Sequence, residues 1–314
     1  MPQTYLVTGA AGFIGSHIAE RLLREGQRVR VIDNLITGKQ AHLDFLKSLN
    51  GDLSITIGSI TEPETLRPVL QNVDFVLHQA ALPSVPRSIA DPLETHRHCA
   101  TGTLNLLIAA RDAGVKRLVY AASSSAYGDQ AGDAKVESMS PAPISPYGVA
   151  KLIGEYYAAA FCHSYRLETV SLRYFNVFGP RQDPTSTYAA VIPKFISDML
   201  RGERPTIFGD GTQSRDFTYI DNVAQGNLLA CTAPYAAGET INLAGGGRIL
   251  INDLVAQLNA ILETDLAPIH QAERPGDIKH SRADIAKARE LLGYEPIVNF
   301  EEGLRQTVDW YRAS

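Results

Sequence analysis

The stretch Thr4-Tyr5-Leu6-Val7-Thr8-Gly9-Ala10-Ala11-Gly12-Phe13-Ile14-Gly15 decides the fold of this chain of 314 residues. Its first four residues form an apolar run that predicts a short buried strand, and three glycines follow at a spacing of three. Apolar residues at helical spacing then predict a helix over 13–25, which Gly26 ends. A second apolar run at 28–33 predicts another strand, and Asp33 is its last residue.

This order of strand, glycine turn, helix, strand and acid is the fingerprint of a dinucleotide-binding site. Gly9 permits the tight turn, Gly12 lets the backbone approach a pyrophosphate, and Gly15 lets helix and strand pack closely. The helix N-terminus offers N–H groups to the phosphates. Asp33 lies 18 residues after Gly15, where a carboxylate binds ribose hydroxyls and repels a 2′-phosphate, so we expect NAD. A glycine-rich turn in another kind of α/β protein is the alternative.

Strands and helices continue to alternate, which predicts an α/β fold with a doubly wound parallel sheet. Ligands of such sheets bind at the carboxyl ends of the strands. We therefore expect Gly9, Asp33, Ala80-Ala81, Ser123 and Asn176 to lie along one edge. The further predicted strands are 53–58, 73–79, 117–122 and 168–174, and the further predicted helices are 63–71, 93–113, 147–165 and 189–201.

Glycine and proline interrupt the chain more often after residue 175, which predicts a second, smaller domain. We expect a dinucleotide-binding domain at 1–175, with returning segments from about 215–245, and an interleaved α/β substrate-binding domain at 176–314. Arg181, Arg215 and Arg274 lie beside these turns and either converge on a diphosphate or are solvated surface residues. The predicted strands are 206–208, 215–219, 240–243 and 267–272, and the predicted helices are 251–263, 283–292 and 300–312.

Composition excludes several classes of protein. The chain is 45% hydrophobic and 20% charged, and its formal net charge is −5 without a long basic run, so we expect no nucleic-acid partner. No stretch approaches the ~20 apolar residues of a membrane-spanning helix. With no leader pattern before the glycine turn, we expect a cytoplasmic protein that does not contact the membrane. Three scattered cysteines indicate reduced thiols, and eight histidines without ligand spacing predict no metal site.

Tyr147 and Lys151 lie four residues apart on a predicted helix, so their side chains share one face. An ammonium group beside a phenol favours the phenolate and lowers the tyrosine pKa, which suits a general base. The same spacing also describes a half-buried ring beside a solvated amine. The serines at 123–125 end a predicted strand, where they either contact a ligand or form a polar turn.

These motifs together resemble the extended short-chain dehydrogenase/reductases, whose fold is a Rossmann sheet. The resemblance covers 4–311 and is carried by the glycine turn, Ser123-Ser124-Ser125-Ala126-Tyr127-Gly128, Tyr147-x-x-x-Lys151, Arg173-Tyr174-Phe175-Asn176 and Arg274-Pro275-Gly276-Asp277. Within that family the chain is similar to NAD-dependent UDP-hexose 4-epimerases. The stretches 84–88, 176–184 and 188–193 are similar to the branch that acts on UDP-N-acetylglucosamine and UDP-N-acetylgalactosamine.

The resemblance implies that Tyr147 is the base, that Lys151 holds the nicotinamide ribose, and that Ser123 and Ser124 contact the sugar 4-oxygen. It implies a homodimer in which helices 93–113 and 147–165 pair across a two-fold axis, with apolar surface from Tyr156, Tyr157, Ala158 and Phe161. The implied cofactor-binding residues are Gly9, Gly12, Phe13, Ile14, Gly15, Asp33, Asn34, Ser59, Ile60, Ala80, Ala81, Cys99, Tyr147, Lys151 and Tyr174.

For the UDP-sugar, the resemblance implies a diphosphate clamp of Arg215 and Arg274, with Asp277 on the uridine ribose. Ser281 stands where epimerases restricted to UDP-glucose and UDP-galactose carry tyrosine, so it would leave room for a 2-N-acetyl group. The alternative is that Ser281 is an exposed loop serine. The implied substrate-binding residues are Ser84, Ser123, Ser124, Asn176, Ala190, Val191, Phe208, Arg215, Arg274, Asp277 and Ser281.

Two positions depart from the family pattern. Ser59 replaces an acid near the adenine and accepts a hydrogen bond more weakly. Cys99 replaces an asparagine near the nicotinamide ribose and cannot make the hydrogen bonds of an amide. The alternative is that Cys99 is a small buried thiol without contact to the cofactor. Both changes bear on the affinity for NAD.

We expect a UDP-N-acetylhexosamine 4-epimerase that also accepts UDP-glucose and UDP-galactose. The related 4,6-dehydratases carry Asp-Glu where this chain has Ser124 and Ser125, which disfavours elimination. A UDP-glucuronate 4-epimerase is the alternative of the same class. A non-catalytic NAD-binding regulator is the alternative of another class, and the intact Tyr147, Lys151 and Ser123 disfavour it.

Overall fold

The computed structural model describes residues 1–184, 190–273 and 279–313. The strands are β1 (Thr4–Thr8), β2 (Arg28–Asp33), β3 (Leu53–Ile57), β4 (Phe75–His78), β5 (Arg117–Ser123), β6 (Glu168–Tyr174), β7 (Val177–Phe178), β8 (Thr206–Phe208), β9 (Ser214–Arg215), β10 (Thr218–Tyr219), β11 (Thr240–Leu243), β12 (Ile249–Leu250), β13 (Ile269–Gln271) and β14 (His280–Ser281). The helices are α1 (Phe13–Arg24), α2 (Gln40–Ser48), α3 (Pro63–Val69), α4 (Val85–Ala90), α5 (Pro92–His96), α6 (Gly102–Asp112), α7 (Pro146–Tyr165), α8 (Val191–Leu200), α9 (Ile220–Thr232), α10 (Ile251–Leu262), α11 (Ala286–Leu292) and α12 (Phe300–Ala313).

A parallel sheet in the order β11-β6-β5-β4-β1-β2-β3 confirms the expected doubly wound α/β fold. The strand order reverses between β1 and β4, because β2 and β3 lie to one side of β1 and β4 to β6 lie to the other. The loops after β1 and β4 therefore part at this point. A crevice at the carboxyl ends of the strands is the usual ligand site of such a sheet.

Helices cover both faces of the sheet, and this is why its central strands are apolar at nearly every position. In β1, Tyr5 and Val7 pack into one core, whereas Leu6 packs into the core on the opposite face. In β5, Val119 and Leu118 divide in the same way. Burying both faces removes apolar side chains from water, which stabilises the fold by about 25 cal/mol per Å² of apolar surface buried. Neither face of the parallel sheet is therefore exposed to solvent.

The predicted helix over 93–113 is interrupted in the structure. A π-helical turn at 97–101 joins α5 to α6, and His98 and Cys99 are buried within it. A π-helical turn adds one residue to a helical turn and changes the direction of the side chains, and such turns are frequent at functional sites. Here His98 faces the cavity described below.

Three helices, α2, α4 and α9, were absent from the sequence prediction, and α4 has only six residues. In α2, His42, Leu43 and Leu46 are buried, but polar neighbours obscure their periodicity in the sequence. In α9, buried Asn222 and Asn227 interrupt the apolar pattern because both amides make tertiary hydrogen bonds. Local periodicity therefore underestimated the helical content wherever polar side chains are buried with partners.

The second half of the chain contributes to both parts of the molecule. β11 pairs with β6 in the large sheet, and α9 packs against α1, β5 and β6. Smaller sheets form between β8 and β13, between β7 and β10, and in the order β12-β9-β14. The division into domains at residue 175 stays a prediction.

The surface formed by α5, α6 and α7 differs from the expectation for a dimer contact in two residues. Tyr156 and Tyr157 are exposed, as expected, but Ala158 and Phe161 are buried inside the molecule. Phe161 packs with Leu167 in the core on one face of the large sheet, and its ring centroid lies 4.8 Å from that of Tyr165. Within the described residues, no helix is long and apolar enough to span a membrane.

Candidate functional site

A cavity of about 460 Å³ lies along the carboxyl ends of the strands of the large sheet. Its wall brings together many of the residues that the sequence predicts, from the glycine turn to the Tyr147 helix. The predicted residues on the wall are Gly9, Gly12, Phe13, Ile14, Gly15, Asp33, Asn34, Ile60, Ala80, Ala81, Ser123, Ser124, Tyr147, Lys151, Tyr174, Asn176 and Ala190.

The glycine turn forms one part of this wall. Gly9 has φ of +71°, and a Cβ there would lie 2.7 Å from the backbone nitrogen of Ala80, so the turn requires glycine. Gly12 caps α1 without a side-chain hydrogen bond. The first N–H groups of α1 are therefore not satisfied by a capping side chain, and they lie where the cavity opens, as a phosphate-binding helix N-terminus requires.

Asp33 lies at the carboxyl end of β2 and is almost fully buried. Its carboxylate accepts hydrogen bonds from the backbone N–H groups of Ala11, at 2.9 Å, and Leu35, at 2.8 Å. Burial raises the pKa of this carboxyl group, and the two N–H groups act in the opposite direction. The carboxylate thus connects β2 to the glycine turn and faces the cavity where a ribose would lie.

Ser59 lies behind the wall rather than on it, although its neighbours Gly58 and Ile60 line the cavity. Its hydroxyl is bonded to Thr61 Oγ1 at 2.8 Å and accepts a hydrogen bond from Asn34 Nδ2 at 3.4 Å. These contacts organise the loop after β3. The predicted adenine contact of Ser59 stays a prediction, and its hydroxyl already has partners.

Cys99 is also behind the wall, as a buried thiol in the π-helical turn. Its Sγ accepts a hydrogen bond from the backbone N–H of Leu82 at 3.4 Å, and Leu82 itself lines the cavity. In this structure Cys99 therefore supports the loop after β4. The expected contact of Cys99 with the nicotinamide ribose stays a prediction.

Tyr147 and Lys151 lie in the first two turns of α7, which Pro146 and the capping side chain of Ser145 begin. The Lys151 ammonium donates to the backbone carbonyl of Ala121 at 2.7 Å. Ser123 ends β5, and its hydroxyl accepts a hydrogen bond from the backbone N–H of Ser125 at 3.1 Å. A phenol, an ammonium and a hydroxyl thus converge on one cavity from two adjacent elements.

The expected effect of Lys151 on Tyr147 is not what the structure shows. Burial raises the pKa of Tyr147, and the electrostatic interaction with Cys99 raises it further. The group that lowers it is Ser123, through a hydrogen bond. Burial also lowers the pKa of Lys151, whose ammonium is bonded to Ala121. The sequence argument considered only the spacing on the helix, whereas desolvation dominates in the folded protein.

Tyr174 joins the cavity wall to a buried hydrogen-bond network. Its hydroxyl accepts a hydrogen bond from Asn227 Nδ2 at 2.8 Å and lies 3.1 Å from Gln79 Oε1, to which it donates. Burial raises the pKa of Tyr174, so this phenol stays protonated and acts as a donor. The network connects the ends of β4 and β6 to α9.

Several predicted substrate-binding residues lie away from this cavity wall. Ser84 caps α4, because its hydroxyl accepts a hydrogen bond from Arg87 N–H. Val191 begins α8, and Phe208 ends β8. Arg215 and Ser281 lie opposite each other in the parallel pair of β9 and β14, which places a cation beside a small hydroxyl residue. Arg274 and Asp277 lie outside the described residues.

Arg181 does not converge with Arg215. Its guanidinium forms an ion pair with Glu20 of α1 at 2.7 Å and lies over the Phe45 ring at 4.7 Å from the ring centroid. The side chain is nearly buried, so it fastens the segment after β7 to the first two helices. A diphosphate clamp that includes Arg181 stays a prediction, and spacing along the sequence could not show its distant partner Glu20.

Sequence reasoning missed a further group of residues on the cavity wall. His98 is the clearest case, because the π-helical turn directs it to the cavity and its Nε2 bonds Glu94 at 2.9 Å. Gly58 and Gln79 directly follow a strand and most of the others lie within five residues of the end of one, which is the signal that would have found them. The missed residues include Thr37, Gly38, Gly58, Gln79, Leu82, Pro83, His98, Val177, Gln182 and Asp183.

The residues present fit NAD. The N–H groups at the start of α1, which have no capping side chain, suit a pyrophosphate, and the Asp33 carboxylate at the end of β2 suits a ribose. Lys151 and Tyr147 face the same cavity at its other end, where a nicotinamide ribose would bind. The described residues hold no cluster of three or more His, Cys, Asp or Glu side chains arranged for a metal ion.

Comparison with known proteins places the chain in a family. The family model described as "NAD dependent epimerase/dehydratase family" matches residues 5–244. The UDP-glucuronate 4-epimerase of Thermodesulfobacterium geofontis is 38% identical over 314 residues, which cover 98% of this chain and 95% of that protein.

Two solved structures have the same fold over nearly their whole length. The UDP-N-acetylglucosamine 4-epimerase of Methanobrevibacter ruminantium, in complex with UDP-N-acetylmuramic acid, is 42% identical with a TM-score of 0.94, covering 99% of each chain. The UDP-glucuronic acid 4-epimerase of Bacillus cereus, in complex with UDP-glucuronic acid and NAD, is 36% identical with a TM-score of 0.91, again covering 99% of each chain. Since the family model matches most of the chain and such relatives match it from end to end, this protein belongs to the NAD-dependent epimerase/dehydratase family.

Proposed function

We propose that this protein interconverts UDP-N-acetylglucosamine and UDP-N-acetylgalactosamine by epimerisation at C4 and also accepts UDP-glucose and UDP-galactose. The broader class is established by the family and by relatives over 98–99% of the chain: the protein is an NAD-dependent enzyme of the UDP-sugar 4-epimerases. The choice of sugar is the proposal.

Tyr147 is the proposed base. Its phenolate takes the proton of the sugar 4-hydroxyl as C4 is oxidised, and its phenol returns the proton when C4 is reduced. The cavity supports this role because Ser123 favours the phenolate by a hydrogen bond and Ser124 lies on the same wall. Positioned proton transfer of this kind typically accelerates a reaction by about 10²–10⁴-fold.

NAD, when bound, supplies a reversible acceptor for the C4 hydride. Lys151 is the proposed contact of the nicotinamide ribose, and its position on the cavity wall between β5 and α7 supports this role. The oxidised sugar is a 4-ketone, and it must turn over before reduction so that its opposite face meets the cofactor. Groups that hold the diphosphate while the sugar turns are therefore as necessary as the base.

The pairing of Ser281 with Arg215 is the observation that supports an N-acetylated sugar. Arg215 is the proposed diphosphate cation, and Ser281 lies directly opposite it in β14. A serine at this point leaves space that a tyrosine would fill, so a 2-N-acetyl group can be accommodated. The relative of Methanobrevibacter ruminantium, which is a UDP-N-acetylglucosamine 4-epimerase, agrees with this choice.

A UDP-glucuronate 4-epimerase is the second candidate, because two of the relatives have that activity. The charges of the cavity disfavour it. Among the described residues on the wall no arginine is present, and the Lys151 ammonium donates a hydrogen bond to the Ala121 carbonyl. This wall therefore offers a C6 carboxylate no cation that is without a partner.

The test is turnover of each UDP-sugar separately, with chromatographic separation of the C4 epimers, by the wild type and by Ser281→Tyr. We expect Ser281→Tyr to lose about 10- to 100-fold in kcat/KM on N-acetylated sugars only, because overpacking costs about 1–3 kcal/mol. Ser281→Ala is the size-matched control and keeps both activities. Equal losses on acetylated and plain sugars, or wild-type turnover of UDP-glucuronate alone, would contradict the proposal.

A further inference from the structure

Asp216 is a fully buried acid that neither the sequence motifs nor the cavity wall includes. It directly follows Arg215 at the end of β9, in the part of the molecule to which the proposed function assigns the UDP-sugar. We propose that Asp216 is a positioning residue that holds the proposed substrate-binding groups of three separate chain segments in one arrangement. This inference rests on the proposed function for the identity of the ligand.

Backbone and side-chain atoms of Asp216 connect the three segments. Its backbone N–H donates to the carbonyl of Ser281 at 2.7 Å, and its carbonyl accepts from Asn176 Nδ2 at 3.0 Å. Its carboxylate Oδ2 accepts from the backbone N–H of Ala283 at 3.1 Å. Arg215, Ser281 and Asn176 were each predicted from the sequence to bind the substrate, and Asp216 contacts or adjoins all three.

The carboxylate also faces a loop of three glycines at Gly245–Gly247. The backbone N–H groups of these residues lower the pKa of Asp216, yet Oδ1 makes no hydrogen bond of good geometry with any described residue. A Cβ on Gly245 would lie 2.7 Å from the Phe217 carbonyl and 3.3 Å from Oδ1, so only glycine lets the loop approach this closely. The loop leads to Arg248, whose Nε donates to the Ser214 hydroxyl at 3.1 Å.

Keeping this carboxylate buried is costly for folding. Burial raises the pKa of Asp216 to about 7, so near neutral pH the ionised form is destabilised relative to the unfolded chain. Asp216 thus destabilises the fold at a point where three proposed substrate-binding segments meet. A destabilising buried acid in such a position is typical of a residue that contributes to binding. An asparagine of the same shape would turn an amide donor towards the glycine N–H groups and push the loop away.

Asp216→Asn on the NAD-saturated enzyme is the deciding variant, and Asp74→Asn is its matched control. The Asp74 carboxylate also accepts a hydrogen bond from a backbone N–H, that of Thr4 at 2.8 Å, but it lies at the amino end of β4, away from the carboxyl ends of the strands. We would measure KM and kcat for UDP-N-acetylglucosamine, calorimetric binding of UDP, bound NAD, and hydrogen exchange of the amides of Gly245–Gly247 and Ala283.

In Asp216→Asn we expect KM and the dissociation constant of UDP to rise at least about tenfold, while kcat stays within about twofold. Bound NAD should not change, and hydrogen exchange should accelerate at Gly245–Gly247 and Ala283. Asp74→Asn should leave all of these quantities at their wild-type values.

Unchanged UDP binding and unchanged exchange at these amides would overturn the positioning role. A joint loss of NAD, kcat and protection across the whole chain would also overturn it, because that pattern marks a general structural role. Failure of the wild type to bind UDP would instead refute the proposed function, and the exchange data would still decide whether Asp216 holds the three segments together.

Discussion

At the level of single residues, the proposed function requires the buried phenol of Tyr147 to act as a base. Burial raises the pKa of Tyr147, and the hydrogen bond from Ser123 opposes this effect. Lys151 donates a hydrogen bond to the backbone carbonyl of Ala121, and this contact holds α7 against β5. The hydroxyl at the end of β5 therefore matters more for the tyrosine than the spacing on the helix suggests.

Tyr147→Phe should abolish proton transfer while leaving the cofactor in place. We expect kcat to fall by about 10²–10⁴-fold, since the phenyl ring keeps the packing but has no proton acceptor. Bound NAD, measured after denaturation of the purified protein, should equal that of the wild type. Turnover at the wild-type rate would exclude Tyr147 as the base.

Ser123→Ala should move the pH dependence of the reaction. The hydrogen bond from Ser123 lowers the pKa of Tyr147, so its loss raises that pKa, and a higher pH is then needed to form the phenolate. The acid limb of the profile of kcat against pH should move to higher pH, with the largest loss of activity at low pH. A profile that falls uniformly at every pH would contradict this assignment.

At the level of secondary structure elements, the segment after β7 is fastened over the cavity by ion pairs to the first helical layer. Arg181 pairs with Glu20 of α1, and Lys39, which precedes α2, lies 3.3 Å from Asp183. Gln182 and Asp183 line the cavity. An epimerase regenerates its NAD in every cycle, so a wall fastened in this way suits a cofactor that stays bound.

Arg181→Met should loosen this segment. Removing one partner of a largely buried ion pair costs about 3 kcal/mol in the free energy of unfolding, and we expect NAD to dissociate faster. Arg24→Met is the matched control, because Arg24 pairs with the same Glu20 at 2.9 Å but is well exposed. The control should lose less than about 1 kcal/mol. Equal effects of the two variants would contradict a fastening role for Arg181.

At the level of the whole molecule, α5, α6 and α7 leave an apolar surface that the rest of the described chain does not cover. An open depression of about 470 Å³ lies between them, and Tyr156 at its edge is 60% exposed. The expected homodimer would cover this surface. Ala158 and Phe161 do not contribute to it, because they pack inside the monomer.

Tyr156→Arg should therefore yield monomers that retain NAD. A buried, unpaired guanidinium in an apolar interface is strongly unfavourable. Sedimentation velocity should show a dimer for the wild type and a monomer for the variant. Tyr235→Arg is the control, since Tyr235 is 80% exposed and lies after α9, away from this surface. A monomeric wild type would refute the expectation of a dimer.

The sequence by itself determined the doubly wound sheet, the dependence on NAD and the placing of Tyr147 and Lys151 on one helix. These features depend on contiguous segments whose period, glycine spacing and terminal side chains are readable along the chain. Even the limits of β1, β2 and β6 agree with the pattern, because apolar runs between turns define buried strands well.

Only the tertiary structure decided which distant groups meet. Arg181 forms an ion pair with Glu20, which lies 161 residues earlier in the chain. Asp216 contacts chain segments near residues 176, 245 and 281. Phe161 packs inward while Tyr157 stays outside, although both lie on α7. Burial, partners and pKa shifts depend on how the whole chain closes around each side chain, and no local pattern contains that information.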